Sequence, residues 1–262
     1  MWSLSSRIVA RNATRCVPCR LSQFSTSVDV APSERYGRKV REGTIQRDDF
    51  QRQIVSILDH LHYDLRTYKQ PPVPDVEACL DATTSTSWGL WGSLTNWFWQ
   101  STHGEKSRPL LRPAGAPQSL YLYGDVGTGK SMLMDLFYHT LPSNITRKRR
   151  VHFHQFMIDV QKSSHAFKAR YQDKGHDDVD PIEPVIRDIA QKAEVLCFDE
   201  FQVVDIADAM ILRRLLEGLL RYGVVIVTTS NRHPTELYKN GIQRSSFIPC
   251  LSLIHISEPT RP

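Results

Sequence analysis

Long hydrophobic runs are missing from this sequence. No stretch approaches the roughly 18 apolar residues that a membrane-spanning helix needs, so a helical bilayer span is excluded. Cysteine is scarce: Cys16, Cys19, Cys79, Cys197 and Cys250 are five thiols in 262 residues. That number cannot frame a disulfide-stapled fold and points to a reducing compartment. Cys16 and Cys19 form a C-x-x-C, but no second pair or downstream His cluster completes a zinc site. A large excess of one charge is lacking too. The net charge is +5, and Arg7, Arg11, Arg15 and Arg20 against Asp29 supply more than half of it in the first 30 residues. The remainder is close to neutral, a weak case for a nucleic-acid partner. What is present, 40% apolar and 23% charged residues, suffices for a buried core in one large domain or two small ones.

Residues 1–30 are rich in Arg and Ser, nearly free of acids, and carry Trp2, Leu4, Ile8 and Val9. This is the composition of a mitochondrial transit peptide, and mitochondrial localisation, in the matrix or at the inner membrane, is the expectation. At the other end, LSLIHISEPTRP continues no periodic pattern and looks like a translated adaptor or frame-shifted tail. Residues 251–262 are therefore expected to lie outside the fold, and the chain to be a fragment.

Between the ends the pattern changes twice. Over 44–70, Phe50, Ile54, Ile57, Leu58, Leu61 and Leu65 recur at helical spacing, predicting an amphipathic helix that Pro71, Pro72 and Pro74 end. Residues 71–118 read as an irregular loop or linker. Within it WGLWGSLTNWFW gathers Trp88, Trp91, Trp97 and Trp99, which must dock either on the protein's own core or on a membrane surface or partner. From Ser119 to Cys250, SLYLY, RVHFHQFM, VLCF and VVIVTTS read as strands, and SMLMDLFYHTL, PIEPVIRDIAQKA and DIADAMILRRLLEGLL as helices. The alternation predicts an α/β fold, a parallel sheet flanked by helices.

Directly after the first strand stands Gly124-Asp125-Val126-Gly127-Thr128-Gly129-Lys130-Ser131, a full G-x-x-x-x-G-K-[ST] between strand and helix. Glycines let successive N–H groups face phosphate oxygens, Lys130 would reach the β- and γ-phosphates, and the Ser131 hydroxyl would ligate Mg²⁺. The apolar run Val195–Phe198 delivers Asp199 and Glu200 at a strand end, where open α/β sheets bind ligands. There Asp199 would organise the Mg²⁺ shell and Glu200 polarise an attacking water, although capping of the next helix remains a competing reading for both. The tandem acids favour hydrolysis over transfer to a small molecule, and the absence of N-K-x-D favours ATP over GTP. Asn231, past the fourth strand, could hydrogen-bond the lytic water or the γ-phosphate, or simply form a turn. His152 and His154 are placed on one strand face without a third ligand, and Arg147–Arg150 as a solvated strand entry, with a nucleic-acid or acidic-lipid contact as the alternative.

The order of these motifs is similar to that of AAA+ ATPases. More narrowly, LYGDVGTGKSMLMDLFY, RVHFHQFM, LCFDEFQVVDIADAMIL and TTSNRHPTELYKNGIQRSSFIP resemble the mitochondrial ATPase-family-gene-one-like proteins, the lactation elevated protein one family with ZapE as bacterial relative. The likeness runs over residues 44–250. It implies a P-loop NTPase of AAA+ type with Gly124–Ser131 as Walker A, Asp199 and Glu200 as Walker B, and Asn231 as sensor 1. Arg244 falls where such proteins place an arginine finger, with Arg232 or a surface role for Arg244 as alternatives. A fifth strand and a helical lid, normal in AAA+ modules, are expected to be missing. The resemblance further implies ATP and Mg²⁺ as cofactors, a homo-oligomeric ring, and mitochondrial protein clients remodelled, exported or turned over. A nucleic-acid-associated loader and an inactive scaffold are the rivals.

Overall fold

The computed structural model describes residues 29–75, 112–172, 180–203, 206–237 and 255–257. Residues 1–28 of the transit-like segment, the Trp cluster and Arg244 lie outside them. Two helices come first, α1 (Pro32–Arg41) and α2 (Asp49–Thr67). A sheet of parallel strands and its crossover helices follow: β1 (Leu120–Tyr123), α3 (Lys130–Thr140), β2 (Lys148–His152), α4 (Phe153–Gln172), α5 (Ile182–Lys192), β3 (Val195–Asp199), α6 (Ile206–Arg221), β4 (Val225–Ser230) and β5 (His255–Ser257). A single 3₁₀ turn at Pro234–Glu236 follows β4.

The helix expected over 44–70 starts at Asp49, where the Asp48 carboxylate accepts the Phe50 N–H at 2.9 Å and caps it. It ends at Thr67, before the prolines. Asn144 supplies the C-terminal acceptors' partner by donating to the carbonyls of Leu65 and Tyr68 at 2.9 and 3.2 Å. Ile54, Leu58, Leu61 and Leu65 form the buried stripe, joined by Val55 and His62.

The strand order is β2-β3-β4-β1-β5. This corrects two expectations. His255–Ser257 pair in parallel with Leu120–Leu122, so a stretch set aside as outside the fold provides a fifth strand. Strand pairing is made by main-chain groups and needs little from side chains, and the open edge of β1 offers a row of them. The second correction concerns RVHFHQFM: β2 ends at His152 and α4 begins at Phe153, so His152 and His154 do not share a strand face. Phe153, Phe156, Met157 and Val160 are buried at helical spacing against Phe198 and Phe201.

β1, β3 and β4 alternate their side chains between two cores. Tyr121, Leu196, Phe198 and Ile226 face α4, α5 and α6, whereas Leu120, Leu122, Val195, Cys197, Val225 and Val227 face α2 and α3. β3 and β4, covered on both faces, are buried throughout and apolar up to the polar residues at their C-terminal ends, Asp199 and Thr228–Ser230. Full burial of one such Leu or Phe contributes about 1.5–3 kcal/mol, and Phe137, Leu133 and Met134 on α3 are wholly enclosed.

After α2 the chain runs beneath the sheet. Tyr68 donates its hydroxyl to the Gly223 carbonyl at 2.5 Å, and the Gln70 amide donates to the carbonyls of Ala190 and Tyr222 at 3.1 and 3.0 Å. Gly223 has φ +75°, and a Cβ there would lie 2.4 Å from the Tyr68 hydroxyl and 2.9 Å from Pro71 Cδ. Gly223→Ala should therefore combine backbone strain with a steric clash, at a cost of about 2–4 kcal/mol. The check is a lower urea midpoint with an unchanged denaturant slope; an unmoved midpoint would mean that the 68–73 segment is not held here.

Candidate functional site

Because β1, β3 and β4 are neighbouring parallel strands, their C-terminal ends lie on one edge of the sheet. α3, leaving β1, covers one face, while α6, joining β3 to β4, covers the other. An open sheet binds ligands where its crossovers diverge in this way. The register pairs Tyr123 with Ser230 and Phe198 with Thr228, so Gly124, Glu200 and Asn231 emerge at nearly one level. Neighbouring strands lie about 4.8 Å apart. The glycine loop and the acidic pair thus face each other across roughly 10 Å, with Asn231 between them.

The loop is built by its glycines. Gly127 and Gly129 have φ +87° and +83°, values that other residues adopt only at a cost, and Gly129 is the left-handed residue from which α3 starts. The first-turn amides of α3, including those of Lys130 and Ser131, have no acceptor within the helix and carry its positive end. Asp125, Val126 and Gly127 are exposed at the tip, Thr128 is half-buried, and Ser131 is exposed. Lys130 is enclosed by the loop. Its Nζ donates to the carbonyls of Gly124 and Asp125 at 2.8 and 2.6 Å and to Thr128 Oγ1 at 3.2 Å. Burial pushes its ammonium below the usual pKa, partly opposed by Asp125. The cation is thus stored over the loop, within reach of whatever anion the loop receives.

The opposite wall is a relay of polar groups. The buried Asp199 carboxylate accepts the Thr229 hydroxyl at 3.1 Å, and the same hydroxyl accepts the Glu200 N–H at 3.2 Å. Glu200 is the one non-glycine residue with positive φ among the described residues, at +54°. Strained backbone of this kind persists only where its surroundings enforce it, and it clusters at functional sites. Here the strain turns the Glu200 side chain away from the strand and into solvent, while Asp199 stays inside. Phe201 N–H donates to the Thr229 carbonyl at 2.7 Å and the Ser230 hydroxyl to the Phe201 carbonyl at 2.8 Å, locking the exit of β3 to β4. Asn231 and Arg232 are exposed beyond β4, and the Tyr121 hydroxyl holds that turn through the Arg232 carbonyl at 2.9 Å.

The donors are oxygens: one hydroxyl, Ser131, and one carboxylate, Asp199. Among the described residues no group of three His, Cys, Asp or Glu could hold a metal alone. That supply matches Mg²⁺, which keeps waters and phosphate oxygens and takes only one or two protein ligands. Cys197 offers no alternative chemistry, since burial pushes its thiol up to about 12.

Two sets of neighbours were not legible as site residues. On one side of the loop the Gln51 amide of α2 donates to the Thr128 carbonyl at 3.3 Å, and its own carbonyl oxygen accepts the Tyr36 hydroxyl at 3.2 Å. A Cβ on Gly129 would come within 2.8 Å of Gln51 Nε2, so the end of the Gln51 side chain would have to shift. On the acidic side Arg150 of β2 donates to Asp199 and to Asp135 of α3. The basic run is thus more than a solvated entry: Arg147, though exposed, pairs with Glu194 at 2.8 Å and Arg149 with Asp159 at 3.3 Å. The signal available was the period-2 alternation, which puts Lys148 and Arg150 on the α3 side and Arg149 on the α4 side.

Known proteins are similar to this sequence. It is 45% identical over 242 residues to the fission-yeast "Uncharacterized protein C115.02c", covering 90% of this chain and 50% of that one. It is 39% identical over 271 residues to zebrafish "Lactation elevated protein 1 homolog B", covering 94% and 52%. It is 37% identical over 225 residues to "Cell division protein ZapE" of Escherichia coli K12, covering 86% and 52%. The chain spans about half the length of the curated relatives it matches. The profile of the AFG1-like ATPase family matches residues 30–258, the strands and the motif-bearing loops alike, and the chain belongs to that family.

Proposed function

We propose that this chain binds ATP with Mg²⁺ and hydrolyses it, and that the energy serves to remodel, export or turn over protein clients in mitochondria, within a homo-oligomeric ring. The observation that supports hydrolysis most directly is the acidic wall: a buried Asp199 tied to Thr229, followed by an exposed Glu200 held in a left-handed turn, opposite a glycine loop that stores a lysine. Mg²⁺, held by Ser131 and Asp199, would supply charge neutralisation on the phosphates. The remaining work falls to the chain itself. The loop amides and Lys130 fix the triphosphate, and exchanging three loop contacts for phosphate oxygens gives Lys130 stronger, charge-assisted bonds. Glu200 would orient the attacking water, and Asn231, past the end of the intervening strand, would hold that water or a phosphoryl oxygen. Arg244 is proposed as the residue offered to a neighbouring subunit's site.

Mitochondrial work rests on the transit-like composition of residues 1–30 and on the kinship with lactation elevated protein 1 homolog B. The Trp88–Trp99 cluster is proposed as a contact with the inner-membrane surface. The decisive experiment measures Mg²⁺-dependent ATP uptake by calorimetry and then turnover with an unfolded polypeptide or single-stranded DNA added at several salt concentrations. Uptake with polypeptide-stimulated turnover is expected. Stimulation by DNA that falls steeply with salt would assign the chain to a nucleic-acid loader instead, and no uptake would remove the nucleotide reading altogether.

A further inference from the structure

Arg150 sits beside the phosphate site with a role that hydrolysis alone does not explain. It leaves β2 on the α3 face, at the level of Cys197 in β3. Its Nε and Nη2 donate to Asp199 Oδ2 at 2.9 and 2.5 Å, and its Nη1 donates to Asp135 Oδ1. The Asp199 side chain is 6% exposed. An almost enclosed carboxylate without a positive partner is strongly disfavoured. The guanidinium provides that partner, and its planar fork reaches two carboxylates on separate elements, which an ammonium would not. Thr229 takes Oδ1, so both oxygens of Asp199 are engaged. The cluster of two carboxylates and one guanidinium carries a net charge of −1. A divalent cation that approaches Asp199 therefore meets a carboxylate already paired with a positive charge from within.

We propose that Arg150 is a resident counter-ion of Asp199: it satisfies the carboxylate when no metal is bound and competes with Mg²⁺ for it. Arg150 thereby sets the Mg²⁺ concentration at which nucleotide is taken up. The inference rests on Asp199 being the metal carboxylate of the proposed function. It makes Arg150 a positioning residue, acting through Asp199 rather than on the nucleotide. Its sign is unusual for a residue in such a place, since removing it should raise the affinity for the metal. Like charge at a few ångströms in a partly enclosed site is worth at least a factor of ten in binding.

The test titrates Mg²⁺ into the protein with a fluorescent ATP analogue at fixed ionic strength and reads the half-saturating Mg²⁺ for analogue binding. Arg150→Gln is expected to need about tenfold less Mg²⁺ than the wild type, and to show a lower Tm without metal with a larger rise on its addition. Arg150→Lys, which keeps the charge but not the fork, should fall between the wild type and Arg150→Gln. An unchanged or higher Mg²⁺ requirement in Arg150→Gln, or an Arg150→Lys that shifts as far as Arg150→Gln, overturns the proposal. If Arg150→Gln does not fold without metal, circular dichroism across the same titration takes over: recovery by Mg²⁺ supports the counter-ion role, and its absence at all concentrations overturns it. A wild type that binds no analogue at any Mg²⁺ concentration defeats the underlying site reading as well, whereas a wild type that titrates normally beside unshifted variants defeats this inference alone.

Discussion

Replacing Lys130 with alanine is expected to reduce Mg²⁺-ATP affinity by at least about 10², because two charge-assisted contacts to phosphate oxygens are lost at roughly 1.5–3 kcal/mol each. The fold should tolerate the change. Lys130 Nζ serves only the loop, contacting the Gly124 and Asp125 carbonyls and the Thr128 hydroxyl. The Asp125 tip is exposed and can be hydrated in its place. Calorimetry beside a thermal melt separates the two effects: affinity should collapse while Tm moves by a few degrees at most. Retained affinity would mean that the stored lysine does not transfer to the ligand.

Glu200→Gln should behave in the opposite way. The side chain is exposed and fastened through its backbone, by its N–H on the Thr229 hydroxyl, so the neutral amide fits the same space and the strained turn survives. Binding of ATP should be kept. Turnover should fall by about 10²–10⁴, the range contributed by a positioned general base or water-orienting carboxylate. Single-turnover hydrolysis with saturating Mg²⁺-ATP measures the chemical step without product release. A rate equal to that of the parent would move the role to another residue, with Asn231, just past the end of β4, as the candidate.

Much of this arrangement could be read in the sequence because it depends on local patterns. Gly124–Ser131 lies between an apolar strand and a helix, and β3 is an unbroken apolar run whose last residues are acidic. Both are short-range signals. What escaped was set by long-range packing or by competing propensities. Phe153, Phe156, Met157 and Val160 have helical spacing, yet the β-branched and aromatic content of RVHFHQFM obscured it, and the helix took over one residue after His152. Helix α1 buries little beyond Pro32 and Tyr36, too thin a stripe to stand out. β5 pairs through its backbone, which no side-chain pattern announces. Arg150 lay in a run of four basic residues whose members go to different faces, and only the register of β2 against β3 shows which of them meets Asp199.

The packing of α2 has a practical consequence for anyone trimming this protein. Ile54, Leu58, Leu61 and Leu65 share one core with Leu133, Met134 and Phe137 of α3, and Gln51 touches the rim of the glycine loop. A fragment that starts at Ser119 would keep every signature residue and still lose an outer wall, baring a greasy helix to water. Minimal versions drawn from motif boundaries should aggregate, whereas those that begin ahead of Pro32 should remain dispersed.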